Sequence, residues 1–138
     1  MSLFSTLYDP DTTVFNLRSL RAGDAPAMLT FLAAEVAAAL AAGEEALVEV
    51  KLAGAASGYD WECWLATAAT DEIGALTVFC PLNVARFVCA VAGNPAEARE
   101  KLAAQLAAVS PENVFKIEVA GAGDGPRYMA LALYNVGA

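Results

Sequence analysis

Histidine is absent from the chain, and this sets the terms for any chemistry. The side chain that ordinarily titrates near neutral pH is missing, and with it the commonest metal ligand. Ser–His–Asp and Cys–His nucleophile arrangements are excluded. Three cysteines remain: Cys63, Cys80 and Cys89. A cysteine nucleophile needs a neighbouring group that lowers the thiol pKa. No lysine or arginine lies within two residues of Cys63 or Cys80. Arg86 precedes Cys89 by three residues, so the two share a face only if that segment is helical. Each cysteine sits in an apolar, strand-like context, and no two stand at CxxC spacing. Buried, reduced thiols of a cytosolic protein are the expectation; one disulfide with an odd thiol left over is the other reading.

The carboxylates offer little more. Asp60 and Glu62 share a strand face, as do Glu49 and Lys51. Such pairs can do acid–base work, but at this spacing they ordinarily form a solvated face. The run Gly121–Pro126 contains GxGxG. A phosphate cradle needs such a loop to enter a helix N-terminus. Here the run leads into a strand pattern and carries Asp124, which repels phosphate. A hairpin turn is expected. No catalytic residue, cofactor-binding residue or metal ligand is therefore assigned, and the chain is not expected to be an enzyme.

The elements that position these residues follow from periodicity and turn chemistry. Asp24 is placed to cap a helix with Pro26 in its first turn, and Gly43 to stop it. Met28, Leu32, Val36 and Leu40 recur every fourth residue, and Glu35 is the only charge between Ala27 and Ala42. A helix apolar nearly all round is expected in the middle of the domain or at a subunit interface. Residues 45–53 alternate, turn at Gly54–Gly58, and return through Tyr59, Trp61, Cys63 and Leu65 on one face. Trp64 falls with Asp60 and Glu62 on the polar face, which makes it a candidate contact residue. Asp71–Gly74 turns the chain again, and Ala75–Cys80 reads as a third strand ended by Pro81. Val84–Ala92 suits either period, and its β-branched content favours a strand. Asn94, Pro95 and Glu97 open a second helix as cap, first residue and capping-box glutamate. Val114–Ala120 and Arg127–Asn135 close the chain as two strands about a glycine-rich turn. The expected fold is α+β, two helices on a mainly antiparallel sheet, in the order (arm/β)-α-β-β-β-(β)-α-β-β.

The two helix-plus-hairpin segments resemble each other. Val48–Gly54 aligns with Phe115–Gly121, Gly58 with Gly125, and Trp61 with Tyr128. Val36 and Leu40 align with Leu102 and Leu106 in a register shifted by one residue, and Glu49/Lys51 reverse to Lys116/Glu118. One reading is a pseudo-twofold α-β-β unit used twice, with residues 70–92 inserted between the copies. The other is that any alanine-rich α-β-β unit looks like another. Different strand order in the two halves would remove the first.

Residues 1–23 read as an arm ahead of a single domain over 24–138. The arm mixes Leu3, Phe4, Leu7, Tyr8, Val14 and Phe15 with turn formers at Asp9, Pro10 and Asp11. It is too apolar for a disordered tail, and Thr12–Leu17 reads as a short strand. Met1–Leu7 has no basic start and no long apolar core, so no leader is expected. The apolar stretch 27–42 is too short to span a bilayer.

Composition turns these readings towards protein partners. Hydrophobic residues make up 58% and charged residues 17% of the chain, against about 45–50% and 25% in ordinary soluble domains. Too few charges remain to cover the outside, so an apolar face is expected to meet another chain. The net charge of -8 repels phosphate backbones and argues against nucleic acid. The expectation is a non-catalytic structural or assembly protein, a homo-oligomer or part of a larger particle, made in the cytoplasm and without membrane or cofactor. A phage virion subunit of the decoration, tail-end or connector kind fits that description. The candidate interface residues are Phe4, Leu7, Tyr8, Val14, Phe15 and Trp64. The alternative is a small acidic chaperone or adaptor that captures a partner's extended segment.

Overall fold

A computed structural model describes residues 15–55, 58, 60–73, 78–123 and 125–136. Its elements run β1 (Asn16–Ala22), α1 (Ala25–Ala41), β2 (Ala46–Gly54), β3 (Trp61–Ala68), β4 (Cys80–Pro81), β5 (Ala85–Ala92), α2 (Pro95–Gln105), β6 (Val114–Gly121) and β7 (Tyr128–Asn135). The fold is α+β, and its strands divide into two antiparallel sheets. Sheet A has the order β1-β3-β2-β4 and sheet B the order β5-β7-β6.

Both helices start as their capping residues require. The Asp24 carboxylate accepts from the Ala27 amide at 2.8 Å, and the Asn94 side chain accepts from the Glu97 amide at 2.8 Å. Each satisfies one of the free donors of a first turn. Glu97 itself pairs forward with Lys101 at 3.6 Å, in place of the backward bond expected of it. Gly43 ends α1 with φ +86°, a left-handed conformation that only glycine enters without cost.

Sheet B is the middle layer. On one face Ala90, Ala92, Ala130 and Ala132 take Ala98 and Leu102 of α2. The small strand residues let the helix approach closely. On the other face Cys89, Met129, Leu131 and Leu133 meet Val50, Leu52, Trp61, Cys63 and Leu65 of sheet A. A strand apolar on both faces must be covered on both, and β7 is. The two sheets come together where β2 lies alongside β6, and α1 packs on β1 and β5 at the opposite side. Met28, Leu32 and Ala39 of α1 enter the shared core there.

The two halves have the same plan. Each runs strand, helix, strand, strand, and in each sheet the first strand pairs with the last, which pairs with the middle one. Both middle strands carry a register shift at the same place, Leu47/Glu49 in β2 and Val114/Lys116 in β6. β5 is therefore the counterpart of β1, so the repeat is β-α-β-β, and residues 85–92 belong to the second copy and not to an insertion. The helices align from their caps, where Met28 and Leu32 match Ala98 and Leu102 as buried residues. The expected pairing of Val36 and Leu40 with Leu102 and Leu106 lies one turn away, because α1 has 17 residues and α2 has 11.

The copies meet at equivalent residues. Lys116 of β6 forms an ion pair with Glu49 of β2, its counterpart 67 positions earlier. Five residues on, a Cβ on Gly54 would strike the carbonyl of Gly121, again its counterpart. Between these points the Leu52 amide donates to the Glu118 carboxylate at 3.4 Å. The strands thus run side by side in one direction about a local twofold axis parallel to them. Trp61 ties the sheets at the far end: its indole N–H donates to the Ala120 carbonyl at 2.9 Å, and the Arg127 guanidinium lies 5.1 Å above its ring.

Some expected features fall outside the described residues. Residues 1–14, with the first part of the expected Thr12–Leu17 strand, are among them, as are Tyr59, Gly74 of the expected turn and residues 75–77 of the expected third strand. The described remainder of that third strand is the two-residue β4. Residues 16–22, read in sequence as the end of the arm, form the outer strand of sheet A.

Candidate functional site

The thiols lie in the core. Burial pushes Cys63 up to about 12, with Cys89 and Glu118 adding to the rise; burial likewise lifts Cys89 to about 12 and Cys80 to about 11. Segment 85–92 is a strand, so Arg86 and Cys89 do not share a helical face. A thiol kept protonated and away from solvent is a packing group and a poor nucleophile.

The buried carboxylates are structural. Glu49 is 2% exposed; one of its oxygens takes Lys116 and the Val50 amide, and the other has no partner among the described residues. Glu44, at the end of α1, accepts from Arg18 at 3.1 Å. Arg18 also reaches Thr67 at 3.2 Å and Glu35 at 3.6 Å. One guanidinium thereby fastens the C-terminal half of α1 to sheet A and neutralises the helix's only charge.

That leaves α1 with an uncharged outer surface. The sequence pattern placed this helix in the middle of the domain or at a subunit interface. It is not in the middle: only Met28, Leu32 and Ala39 are buried, while Phe31 is 44% and Leu40 41% exposed. Thr30, Ala33, Ala34, Ala37, Ala38 and Ala41 are exposed between and beyond them. Alanine explains the difference. It reads as apolar in any periodicity, yet it adds so little surface that a helix rich in it can stand in solvent.

The second copy supplies an internal comparison. The helix positions occupied by Ala27, Leu29, Thr30 and Phe31 in α1 hold Glu97, Arg99, Glu100 and Lys101 in α2, and all four of these are exposed. The fold therefore accepts charges there, and their absence from α1 is a property of this helix alone.

Beside this face runs a groove of about 460 Å³. Leu29, Ala33, Ala37 and Leu40 form its α1 wall, and Leu82, Phe87 and Arg86 its other wall. A second hollow of about 450 Å³, reaching Phe79, Pro81 and Glu45, continues it past Leu40 and Asn83. Arg86 is exposed, hydrogen-bonds the Ala85 carbonyl at 2.8 Å and pairs with no carboxylate among the described residues. The polar groups lining the groove are Asn83 and Arg86, which make no nucleophile–base pair.

Of the candidate contact residues, Phe4, Leu7, Tyr8 and Val14 lie outside the described residues. Phe15 is half-buried at the start of β1. Trp64 is 39% exposed on the outer face of sheet A, across from Ser19 and Lys51. It borders a shallow hollow with Arg21 and Glu62, and Arg21 is already engaged by Asp60 at 3.0 Å. This face mixes Ser19, Arg21, Lys51 and Glu62 with the exposed Leu17, and it lies on the other side of sheet A from α1. Sequence reasoning selected Trp64 and passed over Phe31 and Leu40. The available signal was the single charge in α1, which was read as a place in the middle of the domain or at a subunit interface.

No protein-family model, curated protein or solved structure matches the chain.

Proposed function

We propose that the protein is a non-catalytic interaction subunit that works within an assembly of protein chains, with the outer face of α1 and its groove as the contact surface. The observation that carries this reading is the contrast between the two helices. One fold, used twice in one chain, carries four charged residues on α2 where α1 carries Ala27, Leu29, Thr30 and Phe31. An exposed helix face that is apolar in one copy and charged in the other is what an interface leaves behind. A subunit of a larger particle, as in a phage virion, is the setting we read for it.

A second reading draws on the groove itself. A small acidic chaperone or adaptor would hold an apolar segment of another protein there. The mass of the protein in solution across a concentration series separates the two. Self-assembly raises the mass with concentration, and Phe31→Lys with Leu40→Glu holds it at the monomer value without unfolding the chain. A monomer at every concentration overturns the assembly reading and leaves the adaptor.

A further inference from the structure

We infer that β1, the open edge of sheet A, pairs antiparallel with β1 of a second copy of this chain, centred on Ser19. The inference adds a definite contact to the assembly reading and rests on it.

The two copies of the fold treat their edge strands differently. The Ala55 amide donates to the Asp60 carbonyl, and bonded pairs alternate along an antiparallel ladder. Glu62 and Trp64 of β3 therefore bond β2. Trp61, Cys63, Leu65 and Thr67 bond β1, where their partners are Ala22, Leu20, Arg18 and Asn16. The backbone groups of Leu17, Ser19 and Arg21 point away from the sheet. Their counterparts in β5 are Phe87, Cys89 and Val91. There α2 covers the edge: Gln105 donates to the Cys89 carbonyl at 2.9 Å and Lys101 to the Val91 carbonyl at 3.3 Å. The positions of Lys101 and Gln105 hold Phe31 and Glu35 in α1. Phenylalanine has no donor and a carboxylate only accepts; Glu35 is also held by Arg18. Among the described residues no side chain donates to the Ser19 or Arg21 carbonyl. Leu17 is 71% exposed, and Ser19 and Arg21 are exposed, whereas Cys89 is buried. An edge left open in this way is a template for another strand.

Charge and symmetry select the mate. β1 carries Arg18 and Arg21 and no acid. Each arginine is matched inside its own copy, Arg18 by Glu35 and Glu44, Arg21 by Asp60 and Glu62. The strand therefore calls for no charged partner. Pairing two copies about Ser19 sets Leu17 against Arg21 and Arg18 against Leu20, so no like charges are opposed. The outward groups form about six backbone hydrogen bonds, and a twofold contact of this kind closes as a dimer. Leu17, the most exposed large apolar side chain among the described residues, then lies against the aliphatic stem of the neighbour's arginine.

Disulfide trapping of the full-length protein tests both the contact and its register. Ser19→Cys places its two thiols on opposed residues, about 5.5 Å apart at Cα, within disulfide reach. Leu17→Cys places them about 13 Å apart, beyond it. On oxidation, Ser19→Cys is expected to give a covalent dimer and Leu17→Cys none, while Leu17→Cys mixed with Arg21→Cys gives one; the native thiols are buried and do not compete. Ser19→Pro removes an outward N–H and no ladder bond. It should lower the association constant at least tenfold and leave the thermal midpoint of the monomer nearly unchanged. Phe31→Lys with Glu35→Gln gives α1 the donors of α2 and should weaken association equally; it decides the matter if the proline variant does not fold. Equal cross-linking of Ser19→Cys and Leu17→Cys, or no cross-link at all, overturns the inference, as does assembly of both edge variants at the parental strength. If Phe31→Lys with Leu40→Glu abolishes assembly in that case, the assembly reading stands and the edge pairing alone has failed.

Discussion

Replacing Lys116 with methionine removes the one cation that, among the described residues, pairs with a carboxylate water cannot reach. Glu49 is 2% exposed, and one of its oxygens already lacks a partner. After the change, the Val50 amide is its sole remaining donor among the described residues. Stranding a buried charge in this way costs about 3–5 kcal/mol. The Lys116 side chain is 24% exposed, and some water will follow the substitution, so we expect about 3 kcal/mol. With a urea m-value of about 2 kcal/mol per molar, the unfolding midpoint should fall by about 1.5 M. Adding Glu49→Gln keeps an acceptor for Val50 and deletes the stranded charge. The double variant should recover to within about 1 kcal/mol of the parent, a coupling of about 2 kcal/mol. Urea titrations followed by far-ultraviolet circular dichroism on the four proteins complete the cycle. A loss below about 1 kcal/mol in Lys116→Met, or a double variant equal to the sum of its singles, would show that this pair does not hold the two sheets together.

Three further outcomes are expected. Gly54→Ala should cost more than about 2 kcal/mol in the same titration, because its new Cβ meets the Gly121 backbone and no side chain can move aside. Stability should fall as pH rises from about 9 towards 12. The Cys63 and Cys89 thiols are held neutral in the fold up to about 12 but ionise near 9 once the chain opens, so their contribution is complete below the unfolded value and is lost above it; an unchanged chemical midpoint at pH 8 and pH 10.5 would contradict this. Acrylamide should quench Trp64 and leave Trp61 untouched, since Trp61 is wholly buried; equal quenching in Trp64→Phe and Trp61→Phe proteins would place the indoles wrongly.

Much of the fold was legible because its signals are local. The caps at Asp24 and Asn94, the stop at Gly43 and the alternation through β2, β3, β6 and β7 depend on neighbours in sequence. β5 followed from its β-branched residues. The repeat was legible in part, through Val48–Gly54 and Phe115–Gly121. β1 escaped it because β1 and β5 share almost no side chains beyond Ala22-Gly23 and Ala92-Gly93, next to the caps. Division into two sheets was not legible, since no local signal says which edges stay unpaired. The exposure of the α1 outer face was hidden for a related reason. Hydropathy counts alanine with leucine, so a helix that stands in solvent and one that is enclosed give the same pattern. The buried role of Glu49 was likewise hidden, because its alternation with Lys51 is that of a solvated strand.

The charge reversal between the copies has a consequence for how the chain can combine. About the shared axis, Glu49 faces its own counterpart, and that counterpart is a lysine. Two N-terminal units arranged the same way would oppose glutamate to glutamate, and two C-terminal units lysine to lysine. The halves have become unlike keys cut for one another: neither can stand in for its sibling, and both must be present for the pair to close.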